Sequence, residues 1–475
     1  MNIIPKTILC APQAAFETSR PESFRASQSA SRVRNSGRCL LLPVLCLGLL
    51  PALLSGQGAR PQQPFQIDSN FPGGNIIVLN INGDTVQLQQ DLRDTERFWF
   101  YWSFRVKGAA GRTLNFEFIN ASSGASAGAP APFHENEIKE GSLIGCRGPA
   151  ASTDDGLTWR WLGDLGATPS SPDLKFQYTF GPAENEVIFG QGMNYTEKDL
   201  RRFLNKHKNH PDLAIETLCL SRKGRNVELL RIRDKNRAPD FKIFLSSRMH
   251  CGEMMATRAL EGIMEAVLAD TEDGRWLRRH GDFFIVPFAD KDGVEDGDQG
   301  KNRRPHDHGR DARLRIYPET RAITDQVPKW LDGKPLFSLD MHCPALRGGS
   351  DGNAPEKGSC EYFYFVGINP TIHPGQFEQL KRFGTILEAV KKGPIPYQAS
   401  FNVPFGITWN TEANRKSPDH ISLEDWAATL PNVVFSGLCE LPFANASGVV
   451  VDANSARELG HDLAKAIRVY LENIR

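Results

Sequence analysis

The chain has 475 residues, long enough for two or three domains with buried cores. Its 56 basic and 56 acidic residues cancel, which gives no footing for nucleic acid or an acidic membrane surface. Hydrophobic residues at 40% and charged residues at 24% are ordinary for a globular protein and exclude a disordered or fibrous chain.

Residues 1–60 differ from the rest. Arg20, Arg25, Arg32, Arg34 and Arg38 precede the apolar run CLLLPVLCLGLLPALL from Cys39 to Leu54, and small residues follow. Basic, then apolar, then small is the order of an export signal. Pro43 and Pro51 interrupt a run already short for a membrane span, so no stable span is expected after signal removal. The expectation is a secreted or periplasmic protein, membrane-anchored only if the segment stays on. Without it, Cys146, Cys219, Cys251, Cys343, Cys360 and Cys439 remain, too sparse for a disulfide-built scaffold.

Residues 61–192 read as β. The stretches NIIVLNING, TVQLQQDL, RFWFYWSFRVKG, RTLNFEFIN, KFQYTFG and NEVIFGQ are separated by turns rich in Gly, Asp and Asn. Several alternate apolar with polar residues, which predicts an all-β sandwich. Residues 121–132, small and Pro-rich, read as a loop. In the aromatic run of Phe98, Trp99, Phe100, Tyr101, Trp102 and Phe104, alternate members are expected in the core and the rest against the next domain.

From residue 193 the period changes. Thr196 caps a predicted helix through Leu204, and ETLCLSRKGRNVELLRI predicts a hairpin turning at Lys223-Gly224. Beyond Phe241, strand patterns (FKIFLSS, DFFIVPFA, KPLFSLDMH, CEYFYFVGI, NVVFSGLCELPF) alternate with helical ones, including 376–391 and 455–473. Alternation of this kind predicts an α/β domain over residues 193–475 with a largely parallel or mixed sheet.

Chemistry gathers at the strand ends. His250 and Glu253 follow FKIFLSS at H-x-x-E spacing, where a helix begins. Three residues apart at a helix start, both can face one ion, and neutral imidazole plus carboxylate suits zinc. The spacing alone is a weak signal, because such pairs are more often ion pairs or helix-start carboxylates. After the next strand comes the polar loop ADKDGVEDGDQGKNRRPHDHGRD, which carries Arg303, Arg304, His306, Asp307, His308 and Arg310. Loops that long are usually functional or disordered. His342 ends a later strand, where ligands collect in α/β folds. Glu440 sits inside an apolar strand, where an ionised carboxylate is costly unless paired or working.

Taken in order, strand–HxxE, strand–Asp-Gly loop with arginines, strand–His and strand–Glu-Leu-Pro, the chain resembles the zinc carboxypeptidases of the carboxypeptidase A superfamily. RFWFYWSFRVKG, NFEFIN, YTFG and the Tyr195-Thr196 helix start resemble the β-sandwich that precedes the catalytic domain in cytosolic carboxypeptidases. The resemblance implies a three-layer α/β/α catalytic domain with a mixed sheet behind the sandwich. It also implies a metallopeptidase that cuts C-terminal bonds of peptides or proteins. His250, Glu253 and His342 would hold Zn2+ and leave one position for water. Asp307 would accept from the other nitrogen of His250. Arg303, or its neighbour Arg304, would polarise the scissile carbonyl, and Arg310 would hold the substrate's carboxylate. Glu440 would activate the water and pass its proton to the leaving amine.

The chain departs from the family pattern in places. Gly309-Arg310 stands where the family has Asn-Arg, which removes one amide donor. Counted back from Arg310 at the family's spacing, the carbonyl-polarising arginine would fall near Gly300. For the substrate-capping tyrosine only Tyr397 or Trp409 is at hand. Cys251, Cys343 and Cys439, each beside a proposed site residue, read as small buried hydrophobes. The cytosolic relatives remove acidic residues from protein tails, and the export segment argues against carrying that substrate over. Two other readings stay open: a zinc amidase or deacylase on small N-acyl or cell-wall peptides, and a catalytically silent binding protein.

Overall fold

The computed structural model describes residues 64–95, 99–119, 143–163, 174–346, 361–415 and 417–475. The segment read as an export signal, the loop 121–132, Phe98 and Cys360 lie outside the described residues.

The β part contains β1 (Gln66–Asp68), β2 (Ile77–Asn82), β3 (Thr85–Gln89), β4 (Ser103–Lys107), β5 (Thr113–Phe118), β6 (Ala150–Ser152), β7 (Arg160–Trp161), β8 (Lys175–Thr179) and β9 (Glu186–Gly190). They form one sheet in the order β1-β4-β9-β6-β7 and another in the order β2-β3-β5-β8. The period-two pattern explains their packing: β5 buries Leu114, Phe116 and Phe118 while the residues between stay partly open. Across the core Phe116 of one sheet meets Phe104 at 5.3 Å and Phe189 at 5.4 Å, both of the other sheet.

The α/β part contains α1 (Glu197–His207), β10 (Leu213–Leu220), β11 (Asn226–Ile232), β12 (Phe241–Ser247), α2 (Met254–Leu268), α3 (Glu272–His280), β13 (Gly281–Val286) and α4 (Lys291–Asp296). Then come α5 (Pro318–Leu331), β14 (Leu336–His342), β15 (Tyr364–Val366), α6 (Gln376–Val390), α7 (Leu423–Ala428), β16 (Val433–Glu440) and α8 (Ala453–Glu472). The sheet order is β10-β11-β13-β12-β14-β16-β15. The middle pairs are parallel and the outer ones antiparallel, so the sheet is mixed.

Every residue of β12, β13 and β14 is buried, as continuous apolar strands require in a sheet covered on both faces. One face packs Leu260 and Ile263 of α2, Phe383 of α6 and Ile467 of α8. The other packs Ile323 and Val327 of α5 and Leu423 of α7 against Phe244 and Phe284. These are the three α/β/α layers. Helices α3, α4, α5 and α7 go beyond the sequence expectation. In α5 the apolar pattern is broken by Pro328, and Pro318 occupies the first turn, where a missing N–H costs nothing; α3 is short and predominantly polar.

β12 lies between β13 and β14, so the chain steps from β12 to β13 on one side and then crosses back to β14 on the other. The crevice beyond its carboxyl end is where such folds bind ligands. The sandwich reaches that same edge. The Tyr101 backbone N–H donates to Gln299 Oε1, and Gln299 Nε2 donates to the Tyr101 carbonyl, both at 2.8 Å. Asn75 Nδ2 donates to the Gly297 carbonyl at 2.7 Å. Trp102 and Phe104 belong to the sandwich core, while Phe100 packs edge-on against Phe443, 5.6 Å away. Gln62–Arg475 forms one compact unit.

Candidate metal centre

Beyond Ser247 the chain turns sharply through Arg248, a non-glycine residue at φ 63°. The buried Arg248 guanidinium holds the turn by donating to the carbonyls of Cys251 at 2.6 Å and Tyr195 at 2.9 Å. That turn carries His250, and Glu253 sits at the N-cap of α2. His342 ends β14 and Glu440 ends β16, and the two are cross-strand partners. Four side chains from three parallel strand ends therefore meet at one edge of the sheet.

Their ligating atoms converge. His250 Nδ1 lies 2.8 Å from Glu253 Oε1, His342 Nδ1 lies 2.9 Å from Glu253 Oε2, and the two Nδ1 atoms are 3.2 Å apart. All three residues are buried. The other nitrogens are held from behind, His250 Nε2 by Asp307 Oδ1 at 3.2 Å and His342 Nε2 by Asp340 Oδ2 at 2.8 Å. Carboxylates in that position orient an imidazole and raise its basicity as a ligand. Asp340 was not singled out from the sequence. It precedes His342 by two on one strand, hence on the same face, and that spacing is the signal that finds it.

The residues present fit a metal ion. Two imidazole nitrogens and a carboxylate form a buried, converging set of nitrogen and oxygen donors. Burial opposes charge on Glu253, yet His250 and His342 hold its carboxyl well below the usual range. Glu440 goes the other way: burial, and then the charge of Glu253, raises it to about 7. Its Oε2 is likewise buried without a partner.

The cleft over these groups is lined by His250, His342 and Glu440, by the cations Lys301 and Arg310, and by Trp409. Among the described residues neither Lys301 nor Arg310 forms an ion pair, which leaves both cations for a ligand. Lys301 rests over the Trp99 ring, 5.1 Å from its centre.

Arg303, expected at the scissile carbonyl, is placed elsewhere. It does not line the cleft and is ion-paired with Asp94 at 2.7 Å, with Asp298 at 3.0 Å and with Asp290. Arg304 borders a separate cavity with Asp290, Arg303 and Glu319. The cation the structure brings to the cleft is Lys301, two residues earlier, which sequence reasoning missed. His308 also faces away from the cleft, stacked on Tyr317 at 4.1 Å, and burial pushes it down to about 4. Of the two candidates for the capping aromatic, Trp409 lines the cleft, whereas buried Tyr397 donates to Asn402 at 3.2 Å. Cys251, Cys343 and Cys439 are buried free thiols.

The fold is like that of solved metallo-carboxypeptidases. The structure of a metallo-carboxypeptidase from Burkholderia cenocepacia superposes on 86% of this chain and 100% of its own, with a TM-score of 0.64 and 20% identity. Residues 67–136 match the family model described as the cytosolic carboxypeptidase N-terminal domain. Human cytosolic carboxypeptidase 2 is 27% identical over 258 residues, which cover 48% of this chain and 26% of that protein. An uncharacterized protein of Zymomonas mobilis is 28% identical over 231 residues, 48% of this chain and 54% of that one. The matches thus span about half of one of these two relatives and about a quarter of the other. The likenesses show the fold of a metallo-carboxypeptidase and a similarity to the cytosolic carboxypeptidases.

They also correct one expectation. The reading of a secreted or periplasmic protein is overturned, because the relatives matched are cytosolic carboxypeptidases. Among the described residues no helix is long and apolar enough to cross a membrane.

Proposed function

We propose that the protein is a zinc-dependent carboxypeptidase that releases the C-terminal residue of peptides or proteins. One observation carries the reading: buried His250, Glu253 and His342 converge beneath a cleft that also holds Glu440, Lys301 and Arg310. His250, Glu253 and His342 would hold Zn2+, which supplies Lewis acidity and makes water a better nucleophile at neutral pH. Asp307 and Asp340 keep the two imidazoles turned inward.

Arg310 binds the terminal carboxylate, a task suited to a planar fork of donors. That contact sets the last peptide bond beside Glu440. Glu440 takes one proton from water as oxygen adds to the carbonyl carbon, then delivers it to the departing amine nitrogen. A carboxyl near neutrality suits both halves of that exchange. Lys301 donates to the carbonyl oxygen as negative charge builds there. The fold of residues 61–192 as a sandwich domain ahead of a catalytic domain, 193–475, is part of this proposal.

Gly309 favours one second reading. Without an amide at that position the carboxylate has one donor fewer, so an amidase or deacylase acting on small N-acyl peptides keeps the same ligands and base. The test is metal content together with hydrolysis of a tripeptide bearing a free or an amidated C-terminus. One zinc per chain and cleavage of only the free form are expected. Equal cleavage of the amidated form sinks the carboxypeptidase reading, and a metal-free inactive protein sinks both.

A further inference from the structure

We infer that Trp99 is a positioning residue, whose ring holds the Lys301 ammonium at the cleft so that the sandwich completes the site; this rests on the carboxypeptidase reading. Lys301 Nζ lies 5.1 Å from the centre of the Trp99 ring. A lysine over a solvent-exposed aromatic gains little from the contact. Here Lys301 and Trp99 are both half-buried, and Lys301 lines the cleft beside Glu440, His250 and His342. Its charge is felt there: burial and then Glu253 raise the Glu440 carboxyl, and Lys301 is among the cations opposing the rise. Among the described residues Lys301 has no carboxylate partner, so its flexible four-carbon stem needs another restraint. A carboxylate would fix the ammonium but cancel its pull on a developing oxyanion. The negative face of an indole attracts the ammonium and leaves it charged.

Both partners are held from the sandwich side. The Trp99 carbonyl accepts from Gln90 Nε2, and the Trp99 ring stacks on Phe100 with centres 4.4 Å apart. Phe100 in turn meets Phe443, just past Glu440. The loop that carries Lys301 is pinned on either side of it. Gln299 exchanges hydrogen bonds with the Tyr101 backbone. Thr95 Oγ1 donates to the Lys301 carbonyl at 3.3 Å, and the Arg304 N–H donates to the Asp94 carbonyl at 2.9 Å. None of these bonds uses the indole, so the loop keeps its course without it. What the ring sets is the side chain alone.

The experiment uses the metal-loaded full chain with Trp99→Leu, Trp99→Phe, Lys301→Gln and the Trp99→Leu/Lys301→Gln pair. Trp99→Leu should lower kcat about 3–10-fold, with KM and metal content held. Trp99→Phe keeps an aromatic face and should restore most of that loss. In the Lys301→Gln background, Trp99→Leu should cost less than about 2-fold, because its effect passes through the missing ammonium. Equal losses in both backgrounds, or a loss confined to KM, overturn the inference and leave the carboxypeptidase reading standing. If the wild type cuts no peptide, that reading falls, and the contact is judged by carbon-13 NMR of the reductively dimethylated lysines. A ring-shifted signal that is absent from Lys301→Gln and moves in Trp99→Phe upholds the placement of Lys301. A Lys301 signal at the position of the solvent-exposed lysines overturns it.

Discussion

Gly309 lies flat against the His250 ring: a Cβ at this position would come within 2.5 Å of His250 Nε2 and 3.0 Å of Cε1. The missing amide is thus tied to the ligand geometry, since any side chain at 309 would push the imidazole. Asp307 Oδ1, which receives His250 Nε2, also accepts the Gly309 backbone N–H at 2.9 Å, so ring and turn share one anchor. Gly309→Ala should therefore weaken metal binding by roughly 10–100-fold, the scale of a disturbed outer partner. Competition against a zinc chelator measures it. Unchanged affinity would mean that the ring does not need the room.

Glu440→Gln keeps the shape and one acceptor but cannot take a proton. Metal content should stay at the wild-type level, and kcat should fall roughly 10²–10⁴-fold or more. Single-turnover cleavage read beside elemental analysis separates the two effects. Wild-type turnover in this variant would remove Glu440 from proton transfer.

Much of this site was legible in the sequence because it sits on regular elements. His250, Glu253, His342 and Glu440 follow strands whose unbroken apolar runs mark them as central, and a strand end has a known place in an α/β fold. The loop between them was not legible. Lys301, Arg303 and Arg304 lie within four residues, and no period says which of them faces the cleft. That choice is made by partners far away in the chain: Asp94 of the sandwich, Asp290 and Asp298 capture Arg303. The export reading failed for a different reason. A basic lead and an apolar run are compositional signals and carry no spatial check.

Glu319, in the first turn of α5, carries a burden that activity does not explain. It is 2% exposed, and its Oε2 has no hydrogen-bond partner. Burial, then the charges of Asp290 and Asp292, raises it to about 8 from the ordinary 4.5, with Arg222 opposing weakly. The folded state thus holds this proton more tightly than the unfolded chain. Below pH 4.5 both states are protonated and nothing is lost; as pH rises toward 8 stability falls by about 1.4 kcal/mol per unit. At pH 7 the cost is roughly 3 kcal/mol. Glu319→Gln should accordingly raise Tm at pH 7–8 and leave it nearly unchanged at pH 4. A gain that is the same at both pH values would refute the assignment.

Lys301 and Arg303 should separate cleanly by substitution, because one faces the cleft and the other is spent on structure. Lys301→Gln removes a cation that has no carboxylate partner among the described residues, so folding stability should change little. Its loss should appear in kcat, by roughly 10²–10³-fold, the scale of one donor to a developing oxyanion. Arg303→Gln leaves buried Asp290 and Asp298, with Asp94, without their shared cation. Removing one partner of a buried ionic cluster costs roughly 3–5 kcal/mol. Denaturant unfolding beside kcat for both variants is the measurement. If Arg303→Gln loses catalysis while its unfolding midpoint holds, and Lys301→Gln does the reverse, the two roles must be exchanged.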